Sequence, residues 1–238
     1  KVIARQNFVL AGRPWAEATF LYFAPEATMR WCANDGEAVL ANTVLLEIAA
    51  PARALLSGER TALNFLQTLS GTATTTAHYA GLIAHTQTRL LDTRKTLPGL
   101  RDAQKYAVRC GGGLNHRIGL FDAFLLKENH IAAAGSISAA VLAARKLYPD
   151  RFLQVEVETR AQLEECLNLN VPRVLLDNFS PAQTAELVGF VDGRMELESS
   201  GGIDEQSLIA YAEAGVDFIS IGSLTKHVRA VDLSMRMV

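Results

Sequence analysis

The sequence has little cysteine: its 238 residues include three, Cys32, Cys110 and Cys166. An odd number at such wide spacing matches neither a disulfide framework nor the ligand set of a zinc site. We therefore expect a reduced, cytoplasmic protein. The chain also has no run of 18 or more apolar residues and no visible signal peptide after Lys1. These absences predict that it neither spans a membrane nor is exported.

An excess of charge of either sign is also missing. The 23 Lys and Arg residues against 25 Asp and Glu leave a formal net charge of −2. No broad basic surface therefore points to nucleic acid or to an anionic membrane, and any site for an anion must be local. With 49% hydrophobic residues, 17 Gly and 7 Pro, the composition is that of a globular protein and excludes disordered and collagen-like classes.

The chain divides by pattern into three parts. Residues 1–57 contain short strand and turn patterns, which predict a small N-terminal α/β sandwich cap domain. Residues 58–84 have apolar residues at helical spacing, and they predict two linking helices, with Ser57 as an N-cap and Ser70-Gly71 as the interruption. Residues 85–238 predict the catalytic domain, whose last residues are free to return to the cap.

The third part repeats one unit six times: a short apolar strand, then a polar residue or glycine, a loop and a helical segment. Successive strand ends lie between 21 and 35 residues apart, the length of a crossover between parallel strands. We predict a TIM-like α/β barrel, closed or incomplete, in which the carboxyl ends of the strands face one active-site mouth. The strands end at Asp92, Lys127, Glu156, Asp177, Glu198 and Gly222.

Cationic residues follow the first two strands of this predicted barrel. Arg94, Lys95, His116, Arg117 and Lys127 form a basic wall in the prediction. Such a wall suits carboxylates, which an arginine binds through two parallel hydrogen bonds.

Carboxylates end the third and fourth strands, at Glu156 and Asp177. Carboxylate oxygens are the ligands that Mg²⁺ accepts together with phosphate oxygens. We therefore predict a magnesium site there. Ion pairs between these carboxylates and the basic wall are the alternative explanation.

Glycine and serine follow the last two strands. Ser199-Ser200-Gly201-Gly202 and Gly222-Ser223 predict loops whose backbone N–H groups bind a phosphate, and two tight turns are the alternative. The run Gly111-Gly112-Gly113 follows a helical segment and lacks the Lys-Ser/Thr of a phosphate loop. It predicts a helix end that lets His116 and Arg117 enter the mouth.

Eight short segments, spread over nearly the whole chain, carry a resemblance to one enzyme family. They are Glu59-Arg60-Thr61-Ala62-Leu63-Asn64, Asp92-Thr93-Arg94-Lys95-Thr96-Leu97-Pro98-Gly99-Leu100-Arg101, Asn115-His116-Arg117, Leu126-Lys127-Glu128-Asn129-His130, Val155-Glu156-Val157-Glu158, Leu176-Asp177-Asn178, Glu198-Ser199-Ser200-Gly201-Gly202-Ile203 and Ile221-Gly222-Ser223-Leu224-Thr225. The sequence resembles the quinolinate phosphoribosyltransferases, also called carboxylating nicotinate-nucleotide pyrophosphorylases. That family usually has about one more helical segment at its amino end, so the resemblance implies that the cap lacks its first segment.

The resemblance implies that quinolinate and phosphoribosyl pyrophosphate give nicotinate mononucleotide, pyrophosphate and carbon dioxide in NAD biosynthesis. It implies Mg²⁺ as the cofactor, and a homodimer or higher homo-oligomer with shared active sites. It also implies roles: Arg60, Arg94, His116, Arg117 and Lys127 would bind quinolinate; Lys95, Glu156 and Asp177 would be catalytic, with Glu156 and Asp177 on the metal; Ser199, Gly201, Gly202 and Gly222 would bind phosphate.

Two alternatives remain at this stage. An aldolase-like barrel would use Lys127 to form a Schiff base and the glycine loops to bind a sugar phosphate, and borohydride trapping would reveal it. A non-catalytic paralogue associated with molybdenum uptake would bind an anion without turnover. The presence of the whole basic wall argues against that paralogue.

Overall fold

The computed structural model describes residues 1–237. Its elements in chain order are β1 (Val2–Ala4), β2 (Phe8–Val9), α1 (Arg13–Phe23), β3 (Thr28–Trp31), β4 (Ala38–Val39), β5 (Val44–Ala49), α2 (Ala52–Leu82), β6 (Arg89–Leu91), α3 (Arg101–Cys110), β7 (Ala123–Leu126), α4 (Glu128–Ala134), α5 (Ile137–Leu147), β8 (Phe152–Val157), α6 (Arg160–Asn168), β9 (Arg173–Asp177), α7 (Pro181–Val191), β10 (Glu196–Ser200), α8 (Leu208–Glu213), β11 (Phe218–Ser220), α9 (Ser223–Lys226) and β12 (Leu233–Met235). No helix within these 237 residues is long and apolar enough to cross a bilayer.

The chain forms two compact units, each made of separate stretches. The first unit comprises residues 1–80, 95–115 and the chain from 222 onward, and the second comprises 81–94 and 116–221. These units are defined by which residues pack together, and they differ in kind from the domains predicted along the sequence. The domain boundaries at 57, 84 and 238 remain a prediction from the sequence.

The first unit contains a four-stranded antiparallel sheet in the order β12-β1-β5-β3 and a small pair, β2-β4. Val2 of β1 faces Met235 of β12 and Leu46 of β5, so the end of the chain pairs with its beginning. Phe20 of α1 and Leu63 of α2 are buried in the same core cluster as Leu46. Burial of each such side chain contributes about 1.5–3 kcal/mol.

One continuous helix, α2, stands where the sequence predicted two linking helices, so that prediction was wrong. Ser57 lies inside α2 and does not cap it. Ser70 is buried, and its hydroxyl accepts from the N–H of Ala11 at 3.0 Å and donates to the carbonyl of Ala11 at 3.2 Å. A Cβ on Gly71 would overlap the carbonyl of Arg229. The glycine therefore allows close approach of another segment and does not end the helix.

The three glycines after α3 serve both a turn and close packing. The predicted helix end is confirmed, since α3 stops at Cys110 and Gly112 has φ +85°. A Cβ on Gly111 would overlap the carbonyl of Ala73 in α2, and one on Gly113 would lie 2.8 Å from Thr76 Cγ2. Glycine at these positions lets the segment after α3 lie directly against α2.

The second unit is built on six parallel strands in the order β6-β11-β10-β9-β8-β7. All five pairings are parallel, and helices follow most strands. Strands β6 and β7 are the two edges of this sheet, so the predicted barrel is the incomplete form. The predicted α/β class, with a small N-terminal part built on antiparallel strands, is confirmed.

Local sequence explains where the chain turns back after β8 and β9. Thr159 caps α6 and Ser180 caps α7, and in each case a glutamine three residues later completes a capping box. These boxes satisfy N–H groups that the first turn of a helix leaves free. Each helix therefore begins four residues after a carboxylate, Glu156 for α6 and Asp177 for α7.

Candidate active site

The carboxyl ends of the parallel strands bring the charged residues of the second unit onto one face of the sheet. In the register of β8, β9 and β10, Glu156 pairs with Leu175, and Leu175 pairs with Glu198. Residues paired across parallel strands point to the same face, as do residues two apart along one strand. Glu156, Asp177 and Glu198 therefore share a face.

An ion pair joins the basic and the acidic side of this face. Lys127 Nζ lies 2.5 Å from Glu156 Oε2. Lys127 is placed by the start of α4, where its backbone N–H donates to His130 Nδ1 at 3.0 Å. This ion pair neutralises part of the charge of Lys127 and Glu156, as the alternative explanation of structural ion pairs predicts. The basic and acidic sides are therefore in contact without a substrate.

The two carboxylates predicted to bind Mg²⁺ repel each other. Burial raises the pKa of Glu156, the negative charge of Asp177 raises it further, and Lys127 opposes the shift. A divalent cation would relieve this repulsion. The two carboxylates therefore fit a divalent cation that takes its remaining ligands from a substrate. Within residues 1–237, no group of three or more His, Cys, Asp or Glu side chains is arranged to hold a metal alone.

On the basic side, the positive charge of one arginine acts on another. The pKa of Arg117 is lowered by burial and also by the positive charge of Arg94. Arg117 Nη1 donates to the carbonyl of Ala123 at 3.2 Å, and the Asp122 carboxylate accepts from two N–H groups of the same loop. Burial and a second positive charge both favour binding of an anionic ligand at Arg117, although the Asp122 and Glu156 carboxylates partly offset them.

His116 is held by two neighbours through its backbone and its ring. Its backbone N–H donates to Asp92 Oδ1 at 2.8 Å, and its Nδ1 accepts from the N–H of Arg117 at 2.8 Å. Asp92 is fully buried, so it orients the chain beneath the predicted mouth and does not face solvent there.

A buried glutamine and a buried glutamate complete this cluster, and the sequence interpretation missed both roles. Gln154 and Glu198 are each 0% exposed. Gln154 Nε2 donates to Glu198 Oε2 at 2.8 Å, and Gln154 Oε1 lies 3.1 Å from His116 Nε2. The signal available in the sequence was a glutamine within an apolar strand, because buried polar groups need specific partners.

The glycine loop after β10 has one crowded and one open glycine. Gly201 has φ +101°, and a Cβ there would overlap Asn178 Oδ1, whereas Gly202 has φ +59° with open space at its Cβ position. The backbone at Gly202 is therefore accessible to a ligand. Ser200 pairs with Asp177 and shares its face, while Ser199 points to the opposite face and is buried. This alternation favours Ser200 over the predicted Ser199 for a side-chain contact with phosphate.

Three of the predicted site residues belong to the first unit. Arg60 lies exposed on α2. Lys95 is exposed, and its carbonyl accepts from the hydroxyl of Thr225 at 2.8 Å. Thr225 lies in the short helix α9, which begins directly after Gly222. The backbone of Lys95 and the turn at Gly222 are thus held together within that unit.

Family models match almost the whole chain. Residues 1–70 match the quinolinate phosphoribosyl transferase N-terminal domain, and residues 72–236 match the C-terminal domain of the same family.

Individual relatives and a solved structure agree with these matches. The chain is 42% identical to a probable carboxylating nicotinate-nucleotide pyrophosphorylase of Synechocystis, over 99% of this chain and 81% of the relative. It is 39% identical to one of Bacillus subtilis, over 99% and 82%. The nicotinate-nucleotide pyrophosphorylase structure from Francisella tularensis superimposes with a TM-score of 0.96 at 47% identity, covering 98% of this chain and 83% of the other. On these matches of sequence and fold, this chain belongs to the quinolinate phosphoribosyltransferase family.

Proposed function

We propose that this protein transfers phosphoribose from phosphoribosyl pyrophosphate to quinolinate and releases pyrophosphate and carbon dioxide, giving nicotinate mononucleotide for NAD biosynthesis. Membership of the family and the names of its relatives support the reaction. The residue roles below rest on the geometry of the second unit and on the motif positions in the first.

The observation that carries the proposal is the meeting of basic and acidic side chains at the carboxyl ends of the parallel strands, where Lys127 Nζ lies 2.5 Å from Glu156 Oε2. Burial and the charge of Arg94 both lower the pKa of the half-buried Arg117, and a bound anion would oppose both effects. Quinolinate carries two adjacent carboxylates on a flat ring. Lys127 lies on the same side and adds a third cation, with Arg60 as a further predicted ligand.

The acidic side is assigned to phosphoribosyl pyrophosphate. Glu156 and Asp177 would hold Mg²⁺, which when bound would supply positive charge for the pyrophosphate leaving group. Lys95 would contact the same leaving group. The open backbone at Gly202, with Gly201, Gly222 and the serines after β10, would bind the 5′-phosphate through N–H and hydroxyl donors.

The protein's own groups stabilise the charge that develops during the reaction. Departure of pyrophosphate leaves positive character on the ribose ring. The negative carboxylates of Glu156 and Asp177 would stabilise that positive charge. The pyridine nitrogen then bonds to the ribose carbon. Its positive charge stabilises the electron pair left on the adjacent ring carbon when the neighbouring carboxylate leaves as carbon dioxide, and that carbon then takes a proton from water, so the chain needs to supply no electron sink.

The test is an assay of nicotinate mononucleotide formed from quinolinate and phosphoribosyl pyrophosphate with Mg²⁺, with nicotinate as the control substrate. We expect a clear preference for quinolinate in kcat/KM. Nicotinate lacks one carboxylate and would leave a cation of the basic side without its partner, at a cost of about 1–3 kcal/mol. Equal efficiency with the two substrates would contradict the proposal.

The Schiff-base alternative finds no support in the site. A lysine that forms an imine must have an amine free to attack the substrate carbonyl, whereas Lys127 Nζ is held by Glu156 Oε2 at 2.5 Å. Borohydride treatment in the presence of substrate is therefore expected to leave Lys127 unmodified.

A further inference from the structure

The centre of the parallel sheet contains a polar chain of side chains where such a barrel normally packs branched apolar residues. It runs from Glu198 through Gln154 to His116 and ends at the backbone of Arg117. Gln154 and Glu198 are completely buried, and the His116 side chain is 12% exposed. Burying an amide and a carboxylate is costly unless their hydrogen bonds are well made. These polar side chains therefore need an explanation other than packing of the core.

The donors and acceptors along this chain permit one protonation pattern. The N–H of Arg117 is a pure donor and lies 2.8 Å from His116 Nδ1, so Nδ1 must carry a lone pair. The ring proton therefore resides on Nε2, which lies 3.1 Å from Gln154 Oε1 and 3.4 Å from Glu198 Oε2. Gln154 Nε2 in turn donates to Glu198 Oε2 at 2.8 Å. Every bond then has one donor and one acceptor.

The orientation of the glutamine amide follows from the carboxylate. An ionised Glu198 can only accept, so it selects the NH₂ end of Gln154 and turns the amide oxygen towards His116. That oxygen selects the Nε2-protonated imidazole. The lone pair on Nδ1 then fixes the N–H of Arg117, whose guanidinium is held at its other end by the carbonyl of Ala123 at 3.2 Å.

We propose that Gln154 and Glu198 are positioning residues for substrate binding: they hold His116 as a neutral imidazole protonated on Nε2, and His116 thereby fixes the backbone from which Arg117 reaches the dicarboxylate. This inference rests on the proposed function for the identity of the ligand. In this arrangement His116 contributes orientation and hydrogen bonding. The positive charge that binds the two carboxylates of quinolinate comes from the arginines and Lys127.

The first experiment reads the ring of His116 in the free protein. The chain has five histidines, and imidazole ¹⁵N NMR with a His116→Gln variant for assignment distinguishes the two nitrogens. We expect a proton on Nε2 and an unprotonated Nδ1 in the wild type, and loss of this single pattern in Gln154→Leu. A wild-type ring protonated on Nδ1 would overturn the proposal.

The second experiment measures binding and kinetics in Gln154→Leu, with Gln162→Leu as the matched control. Gln162 makes a comparable pair of hydrogen bonds in the capping box of α6 and is remote from His116 in the bonding network. For Gln154→Leu we expect the Kd and KM for quinolinate to rise about tenfold, with the KM for phosphoribosyl pyrophosphate changed less than about threefold. For Gln162→Leu we expect both to stay near the wild-type values. An unchanged affinity of Gln154→Leu for quinolinate would also overturn the proposal.

Glu198→Gln is the second variant if Gln154→Leu does not fold. It keeps the volume of the side chain and removes the charge that orients Gln154, so the ring of His116 should show a mixture of tautomers and weaker quinolinate binding. A single Nε2-protonated form with wild-type affinity would count against the proposal. If the wild type neither binds nor converts quinolinate, the proposed function fails, and the NMR pattern still decides the positioning role.

Discussion

Two glutamates on one face of the parallel sheet show how surroundings assign different tasks to the same residue type. Glu156 is partly buried beside Asp177, and burial together with that like charge raises its pKa despite Lys127. Glu198 is fully buried, and its Oε2 accepts from Gln154 Nε2 at 2.8 Å. A cationic ligand would therefore stabilise the ionised form of Glu156, whereas Glu198 is held by hydrogen bonds inside the protein.

Asp177→Asn removes one of the two carboxylates proposed to bind Mg²⁺. We expect the concentrations of Mg²⁺ and of phosphoribosyl pyrophosphate needed for half-maximal rate to rise about tenfold or more. Binding of quinolinate alone, measured by calorimetry, should stay largely intact, because Asp177 lies on the acidic side. Collapse of quinolinate binding in this variant would show that the acidic side is assigned to the wrong substrate.

Cys166 in α6 is expected to resist thiol reagents until the protein unfolds. It is 0% exposed, and burial raises the pKa of its thiol to about 12. The unfolded thiol loses its proton near pH 9 while the folded one keeps it, so this residue makes stability fall as pH rises from about 9 to 12. The loss is about 1 kcal/mol per pH unit within that range.

Urea unfolding of wild type and Cys166→Ala at pH 8 and pH 10 measures this dependence. The variant should lose less stability over that interval, and Cys32→Ala, which changes an exposed thiol, should behave as wild type. Equal rates of labelling at Cys32 and Cys166 in the native protein would contradict the expectation.

At the scale of elements, the helix α2 shows that close approach of a neighbouring segment can require a glycine where helix propensity alone would favour another residue. Gly71 and Gly81 both lie in α2. A Cβ on Gly71 would overlap the carbonyl of Arg229, whereas Gly81 has no atom within 4 Å of its Cβ position. Intrinsic helix propensity favours alanine at both places. Substitutions at the two positions therefore distinguish the effect of helix propensity on stability from the effect of packing.

Gly71→Ala should therefore destabilise the protein by several kcal/mol, because backbone atoms have little freedom to move aside. Gly81→Ala should stabilise it by up to about 1 kcal/mol through helix propensity and the smaller entropy of the unfolded chain. Thermal unfolding of the two variants beside wild type is the measurement. Similar stability changes in both would show that the segment at Arg229 yields to the added methyl group.

At the scale of the whole molecule, the proposed assembly is a homodimer or larger oligomer in which Arg60 acts in the active site of a neighbouring chain. Arg60 is exposed on α2 in the first unit, whereas Lys127 belongs to the second unit. An exposed arginine with no role in catalysis is the competing explanation. Mixing two inactive variants separates them.

Arg60→Ala and Lys127→Ala proteins are each expected to be inactive and to regain activity when mixed under conditions that exchange subunits. If Arg60 acts in the neighbouring chain, each mixed dimer has one pocket with both defects and one with neither. Activity should reach about half that of a wild-type dimer per mixed dimer. If Arg60 acts in its own chain, every pocket keeps a defect, and exchange shown by mass labels without recovery would rule out the shared site.

Much of the parallel sheet could be predicted from sequence because its strands are short apolar runs that end in a polar residue. The ends at Asp92, Lys127, Glu156 and Asp177 agree with the structure within a residue, while β10 continues two residues past Glu198 and β11 ends two residues before Gly222. The two linking helices were wrong because Ser70-Gly71 has the local pattern of an interruption. Its true cause, close approach of a segment more than 150 residues later, leaves no local signal.

The sequence by itself determined the residue types of the site and, through local hydrogen bonding, much of where the chain turns. The basic residues after β6 and before β7, the acidic ends of β8 and β9 and the glycine pair after β10 are all visible in order along the chain. Only the tertiary structure decided which of these side chains meet. The pairing of Lys127 with Glu156, the like charges of Arg94 and Arg117, and the chain from Glu198 to His116 depend on strand register and on which face each residue points to. Those are set by pairing and burial across the whole sheet, which no single segment encodes.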